Sequence, residues 1–232
     1  SSAASDVYKR QHVAYANSAD GLTDFTTVYP NLNLLKGTRT LTATSASSRW
    51  STLFSSSQIY DSTIKSKSGV SAMTFSFDVF VPLNAKVGNS FAVQLKGQSS
   101  QAHGAVGTND YNTITCQSYY VIKQSDLGKT IRASVPVYKW GYKDFDTALA
   151  DTDSVTVRQV DDISGLVYSK LKLEIGSTAT PYMPSATEVK DSDYPKFVGV
   201  YGDDSTIASQ IPAAYKWSSI PKPGPTLSLI HI

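Results

Sequence analysis

The sequence predicts an all-β fold: a two-sheet antiparallel β-sandwich with a small flanking β element formed by the N- and C-terminal segments. Three observations carry this prediction. Apolar residues recur at every second position in six short runs, as half-buried strands require. The text between the runs is rich in Gly, Asn, Asp and Ser, the residues that turns need. No stretch repeats apolar residues at the spacing of an amphipathic helix.

Along the chain, residues 12–30, "HVAYANSADGLTDFTTVYP", are aromatic and turn-rich and too short to bury a core alone. The sandwich runs over 31–185. Its clearest strand alternates Met73, Phe75, Phe77, Val79 and Val81 with Thr74, Ser76, Asp78 and Phe80 and is closed by Pro82. Phe91, Val93 and Leu95 alternate with Ala92, Gln94 and Lys96. Ile114, Cys116, Ser118, Tyr120 and Ile122 give a weaker alternation, which leaves Tyr119 on the outer phase. Ile131, Ala133, Val135 and Val137 follow, then a short run at Val155 and Val157. Between them "DTALADTDSV" allows one short turn of helix, with Asp146 as its cap and Leu149 buried. Leu171, Leu173 and Ile175 form the last strand. Its polar exit, "KLEIGSTATPYMPS", is stopped by Gly176 and kept out of any ladder by Pro181 and Pro184. That exit should lead the chain off the domain, with Tyr182 sealing the core edge and the outward-phase Glu174 making a turn or loop contact. Residues 186–220 are a second aromatic flank. Strands at 13–16 and 196–201 should pair there, packed by Tyr15, Phe197, Tyr201 and Trp217.

The composition excludes several function classes. The net charge is +2 and no run of Lys or Arg exists, so neither nucleic acid nor an acidic membrane is an expected partner. The single Cys116 rules out an internal disulfide and reads as a small core residue. No apolar run approaches a membrane span, and no signal peptide is read. There is no G-x-S-x-G, H-E-x-x-H, Walker loop or dinucleotide fingerprint. The chain is not expected to be an enzyme, and no cofactor is expected. Calcium is the one metal worth weighing. Asp144, Asp146, Asp151 and Asp153 lie in loop-like text and offer hard oxygen ligands, though their spacing fits no EF-hand and turn residues and caps are the better reading of them.

The aromatic content points elsewhere. The chain has 14 Tyr and 3 Trp. Phe75, Phe77 and Phe91 fall on the core phase, whereas Trp50, Tyr60, Tyr111, Tyr119, Trp140, Tyr142 and Phe145 fall in loops or off phase. Exposed rings on a rigid sandwich suit a pyranose, whose apolar C–H face stacks on the ring while polar neighbours bind its hydroxyls. "YKWGYKDFD" (138–146) has this mixture, and "SQAHGAVGTNDYN" supplies a second polar loop. The candidate ligand-binding residues are Trp140, Tyr142, Asp144, Tyr119, Tyr111 and Asn109. Core packing competes for Trp50 and Trp140, and His103 reads as an ordinary loop histidine.

"NLNLLKGTRT" near the start of the sandwich and "KLKLEIGSTATPYMPS" at its end resemble the opening and closing motifs of carbohydrate-binding jelly-roll modules in phage tail proteins. The flanks "AYANSADGLTDFTT" and "YPKFVGVYGDDSTIASQIPAAYKWSSI" resemble segments of baseplate and tail-fibre proteins from phages of Gram-positive bacteria. The resemblance spans about 12–226 and implies a jelly roll. It also implies a host cell-wall or surface polysaccharide as ligand, other tail or baseplate subunits as partners, a homo-oligomer (a trimer), and a place in the virion tail or a prophage. It carries over no ligand-contacting residue, because the middle of the chain matches no motif. It leaves open a ligand-free structural spacer and an accessory domain of a tail-associated cell-wall hydrolase. Residues 1–11 and "LSLIHI" at the other end resemble sequencing-adapter read-through from a metagenomic assembly, with 221–232 read as linker plus adapter. On that reading the sequence is a fragment of a longer tail protein.

Overall fold

The structure is a computed structural model that describes residues 9–45, 48–49, 52–56, 59–97 and 114–221. It divides into two compact units: Asn31–Lys190, and the described residues of Ser1–Pro30 with Asp191–Ile232.

The larger unit is an antiparallel β-sandwich. Its strands are β2 (Thr42–Thr44), β3 (Thr52–Ser56), β4 (Met73–Val81), β5 (Ser90–Gly97), β6 (Ile114–Val121), β7 (Lys129–Pro136), β8 (Tyr138–Lys139), β9 (Thr152–Gln159) and β10 (Val167–Ile175). One sheet has the order β2-β10-β4-β7 and the other β3-β9-β5-β6-β8. The predicted phases hold in most strands, but Ile175, expected to face inward with Leu171 and Leu173, is exposed at the end of β10. Phe75, Phe77, Val79, Phe91, Val93, Leu95, Cys116, Leu171 and Leu173 are buried between the sheets. Phe91 lies at the centre, 4.9 Å edge-on from Tyr168, 5.5 Å from Phe77 and stacked at 5.4 Å on Tyr120. Burial pushes the Cys116 thiol up to about 12, as befits a core residue. Tyr60, placed in a loop by its sequence context, is instead buried in this core, where its bridge partner Leu35 holds it.

The short helix α1 (Phe145–Asp151) begins two residues earlier than predicted. Asp144 is its N-cap and accepts a 2.8 Å hydrogen bond from Thr147 N. Asp146 sits in the first turn and instead accepts from the backbone N–H groups of Gly69 and Val70, at 2.6 and 2.9 Å. The predicted Leu149 is buried.

The largest departure from the alternation pattern is the outer face of β10. Lys172 and Glu174 fall on its outward phase, yet both are fully buried. The exit segment does not leave the domain. Gly176, at φ +116°, turns the chain, and residues 180–185 fold back over the sheet. A buried charge pair is tolerated when all its polar atoms are matched, and here they are. Lys172 Nζ lies 3.2 Å from Glu174 Oε2 and donates to Thr180 Oγ1 (2.6 Å) and the Pro181 carbonyl (2.8 Å). Glu174 accepts from the amide and hydroxyl of Thr180 and from Asn31. Burial pulls the Lys172 ammonium down to about 8, against the pull of the Glu174 carboxylate.

The same strand carries a bulge, with Lys170 at φ +48° and a register shift between Ser169 and Lys172. The backbone groups displaced there find side chains. Arg132 donates to the Lys170 carbonyl at 2.8 Å, and Asn33 Nδ2 donates to the Leu171 carbonyl at 2.8 Å. Asn33 Oδ1 accepts from Leu35 N and Leu173 N, both at 2.9 Å. The "NLNLL" stretch thus lies beside β10 as expected, but through the Asn33 side chain and one backbone bond from Leu34 N to the Leu173 carbonyl rather than as a strand, while its isolated bridges go to Ser185 and Tyr60. Tyr182 closes the edge: its hydroxyl lies 3.0 Å from Thr38 Oγ1, and Arg132 sits over its ring.

The smaller unit is a three-stranded antiparallel sheet ordered β1-β11-β12, from β1 (Arg10–Ala16), β11 (Phe197–Asp203) and β12 (Lys216–Ser219). The expected pairing of the two flanks is present, and β12 adds a third strand. Its packing centres on Tyr215, which contacts Phe25, Tyr201 and Trp217. Gly199 is required there, because a Cβ would lie 2.8 Å from Tyr215 and 2.9 Å from the Trp217 ring.

Replacing Lys172 by Met leaves Glu174 buried without its cation. Urea unfolding should show a loss of about 3–5 kcal/mol, with the K172M/E174M double variant losing less than the sum of the two single losses. The pH dependence follows from the lowered Lys172 value. Between about pH 8 and pH 10 the unfolded chain holds a proton that the folded protein has released, so this group makes stability rise with pH across that window. Denaturation at pH 8 and pH 10 should show the wild type gaining stability relative to K172M across that window.

Candidate functional site

The outer face of the five-stranded sheet combines a buried polar row with exposed rings. Register builds the row: Gln94 on β5 stands opposite Thr156 on β9 and Gln117 on β6, and Gln117 stands opposite Tyr138 on the edge strand β8. At the strand spacing of sheets the four positions span about 14 Å. Gln94 and Gln117 are 2% and 4% exposed, and Thr156 is buried. Rings border the row at the β8 end. Tyr138 is 61% exposed, Tyr119 44% and Trp140 37%. Trp140 N donates to the Thr115 carbonyl, which continues the β8 rail past Lys139. One row along, Ala92 faces both Arg158 and Tyr119 across the strands.

The hydrogen bonding of the row is incomplete. Gln117 Oε1 accepts from the Tyr119 hydroxyl at 3.1 Å and from Gln94 Nε2 at 3.5 Å. Gln94 Oε1 is buried and meets no donor among the described residues. Buried polar groups are almost always matched, so an unmatched one in the centre of a sheet calls for an explanation.

The sequence-derived candidates divide accordingly. Tyr119 and Trp140 lie on this face, with Tyr119 out and Tyr120 in as the phase predicts. Tyr142 does not join it. Its ring packs against the core and its hydroxyl donates to Asp151 Oδ2 at 2.5 Å. Asp144 is occupied as the α1 cap, where the Thr147 hydroxyl and amide hold its carboxyl below the usual range. Tyr111 and Asn109, with Trp50 and His103, lie outside the described residues. The four carboxylates weighed for calcium also separate. Asp144 caps α1, Asp146 holds the 69–70 backbone, Asp151 receives Tyr142, and Asp153 lies near Tyr60. Among the described residues no group of three or more His, Cys, Asp or Glu is placed to hold a metal ion.

Gln94, Gln117, Thr156 and Tyr138 were not singled out from the sequence. The available signal was their shared outer phase, but solvated strand residues have the same phase, and only the cross-strand register aligns these four.

The family model described as "Domain of unknown function (DUF7013)" matches residues 29–185. The chain belongs to this family. The DUF7013 match covers the sandwich from before Asn31 to the end of the folded-back exit. No curated protein matches the chain. Among solved structures, a chain of the tripod (BppUct-A-L) from the baseplate of bacteriophage Tuc2009 is similar, with a TM-score of 0.62 and 25% sequence identity. The alignment covers 97% of this chain and 87% of that one. It agrees with the phage-baseplate resemblance carried by the terminal motifs. Among the described residues no helix is long and apolar enough to cross a membrane.

Loss of the Tyr142 hydroxyl should destabilise the sandwich, because Asp151 loses its donor. Thermal unfolding of Tyr142→Phe should register about 1–2 kcal/mol. Tyr138→Ala, at an exposed edge position, should stay within about 0.5 kcal/mol of wild type.

Proposed function

We propose that this DUF7013 chain is a non-catalytic glycan-binding module of a phage tail or baseplate protein that contributes to adsorption on the host cell surface. The observation that carries the baseplate assignment is the likeness to the Tuc2009 tripod chain over 97% of this chain. The glycan reading rests on the β8 edge of the five-stranded sheet, where the rings of Tyr119, Tyr138 and Trp140 are exposed. Exposed ring faces on a rigid sheet suit the apolar C–H face of a sugar. Two of these rings, Tyr119 and Trp140, were candidates from the sequence alone.

The partners in this reading are a host cell-wall or surface polysaccharide and other baseplate subunits, with the module displayed on the virion. A homo-oligomer, such as a trimer, would offset weak single sites through high effective concentration. Binding without catalysis fits the carboxylates: Asp144, Asp146 and Asp151 are each engaged in capping or pinning backbone and side chains.

Retention of the full chain on isolated Gram-positive cell walls and on a glycan array tests the proposal. The wild type should be retained. Tyr138→Ala and Trp140→Ala should each weaken retention about threefold to tenfold, the range expected for one lost ring contact. A folded wild-type chain retained by no wall and no glycan would favour the ligand-free spacer. Release of reducing sugar or cleaved wall fragments would overturn the non-catalytic reading.

A further inference from the structure

We propose that the exposed rings of the β8 edge belong to a longer platform, formed by Trp140, Tyr138, Tyr119 and Val121 in that order, and that its ligand is several consecutive units of a linear polysaccharide laid along β6. The inference rests on the glycan reading and names the kind of glycan: a chain held over its length, not a single sugar.

Register sets the order. Tyr138 stands opposite Gln117, and Trp140 N bonds the Thr115 carbonyl, two residues before Gln117 on β6. Tyr119 and Val121 follow Gln117 at two-residue intervals, and residues two apart in a strand share a face. The Tyr119 hydroxyl donates to Gln117 Oε1, which fixes both side chains on the outer face, while Tyr120 points into the core. The four levels are about 7 Å apart and together span about 20 Å. Val121 is 50% exposed, as open as the rings that precede it. Among the described residues β8 pairs with β6 only at Cys116 and Gln117, so Tyr119 and Val121 lie on the rim of the sheet.

The shape of this surface selects its occupant. The stripe is one residue wide, because across β5 the same levels carry Gln94, Ala92 and Ser90. A protein partner is matched by a broad patch with an apolar centre. A ligand that meets four separate apolar groups along a line must repeat an apolar face along its own length. A linear polysaccharide does this, since each pyranose brings its C–H face to the next level.

Tyr138 and Val121 are about 14 Å apart along the strand, too far for a disaccharide to cover both. The probes are size-fractionated oligosaccharides, from monosaccharide to octasaccharide, released by mild acid from the isolated Gram-positive walls that retain the full chain. Wild-type affinity should rise about tenfold or more from disaccharide to hexasaccharide and then level off. Tyr138→Ala and Val121→Ser should each weaken hexasaccharide binding about threefold or more. Their effects should multiply in the double variant, whereas the disaccharide should respond to no more than one of them. Both side chains are exposed, so each variant should keep its Tm within about 4 °C of wild type. The platform is overturned, with the glycan reading left standing, if the disaccharide binds as tightly as the hexasaccharide or if Val121→Ser binds the hexasaccharide as wild type. It is also overturned if sedimentation shows copies of the chain associating through this stripe, released by the same two substitutions. A folded wild-type chain retained by no wall overturns the glycan reading and the platform together.

Discussion

The sandwich depends on one buried ion pair. Lys172 and Glu174 occupy strand positions that would ordinarily face water, and the chain covers them with its own exit. Two charges withdrawn from solvent are stable only if every remaining polar atom finds a partner. Thr180 provides most of those partners through its amide, hydroxyl and carbonyl, and Pro181 and Asn31 add the rest. The demand fixes the path of the exit. Thr180 must lie over Lys172, so Gly176 must turn the chain, and Tyr182 is then brought against Thr38 and Arg132. The same demand acts at the start of the unit, where Asn31 reaches Glu174 and Asn33 satisfies the bulged part of β10. The two ends of the sandwich are joined less by a strand pairing than by side chains matching backbone groups that the bulge left loose.

The two outer faces of the sandwich differ as a result. On the four-stranded sheet Lys172 and Glu174 of β10 are enclosed and matched, and their hydrogen bonds are spent within the chain. On the five-stranded sheet the central amides are also withdrawn from water, but one acceptor is left over and three rings stay exposed. A face whose polar groups are all matched contributes to stability and specifies one arrangement. A face with an unmatched acceptor beside exposed rings is less stable than it could be, and such departures from local consistency are expected at functional sites.

Much of the sandwich was legible in the sequence because period-2 alternation is a direct consequence of a two-layer core. Phe75, Phe77, Phe91 and Cys116 fall inside, and Tyr119 and Tyr120 divide between the faces as their phases require. Alternation reports only which side of the sheet a residue takes, however, and does not say whether that side is wet. Lys172 and Glu174 looked solvated because nothing local to β10 announces that residues 180–185 return to cover it. Tyr60 failed for a related reason: its neighbours read as a loop, and its burial comes from a bridge to Leu35, 25 positions away. The helix cap was missed by two positions because Asp144 and Asp146 are equally good caps, and only the contact with Gly69 and Val70 separates them. At the site, the rings Tyr119 and Trp140 stood out as apolar groups on an outer phase. The amides did not, since Gln94 and Gln117 are ordinary residues for a wet strand and become unusual only when the register aligns and buries them.

This division separates the residues that hold the fold from those at the edge of its outer face. Residues that hold the end segments, Asn33, Lys172, Glu174 and Thr180, belong to one coupled network, and removing one strands the others in low dielectric. The edge strand of the five-stranded sheet stands apart from that network. Tyr138 lies on a two-residue edge strand, and substitution there removes a contact without opening the core. A change at Tyr138 therefore leaves the fold intact, whereas a change at Thr180 or Asn33 opens a network that both end segments of the sandwich depend on.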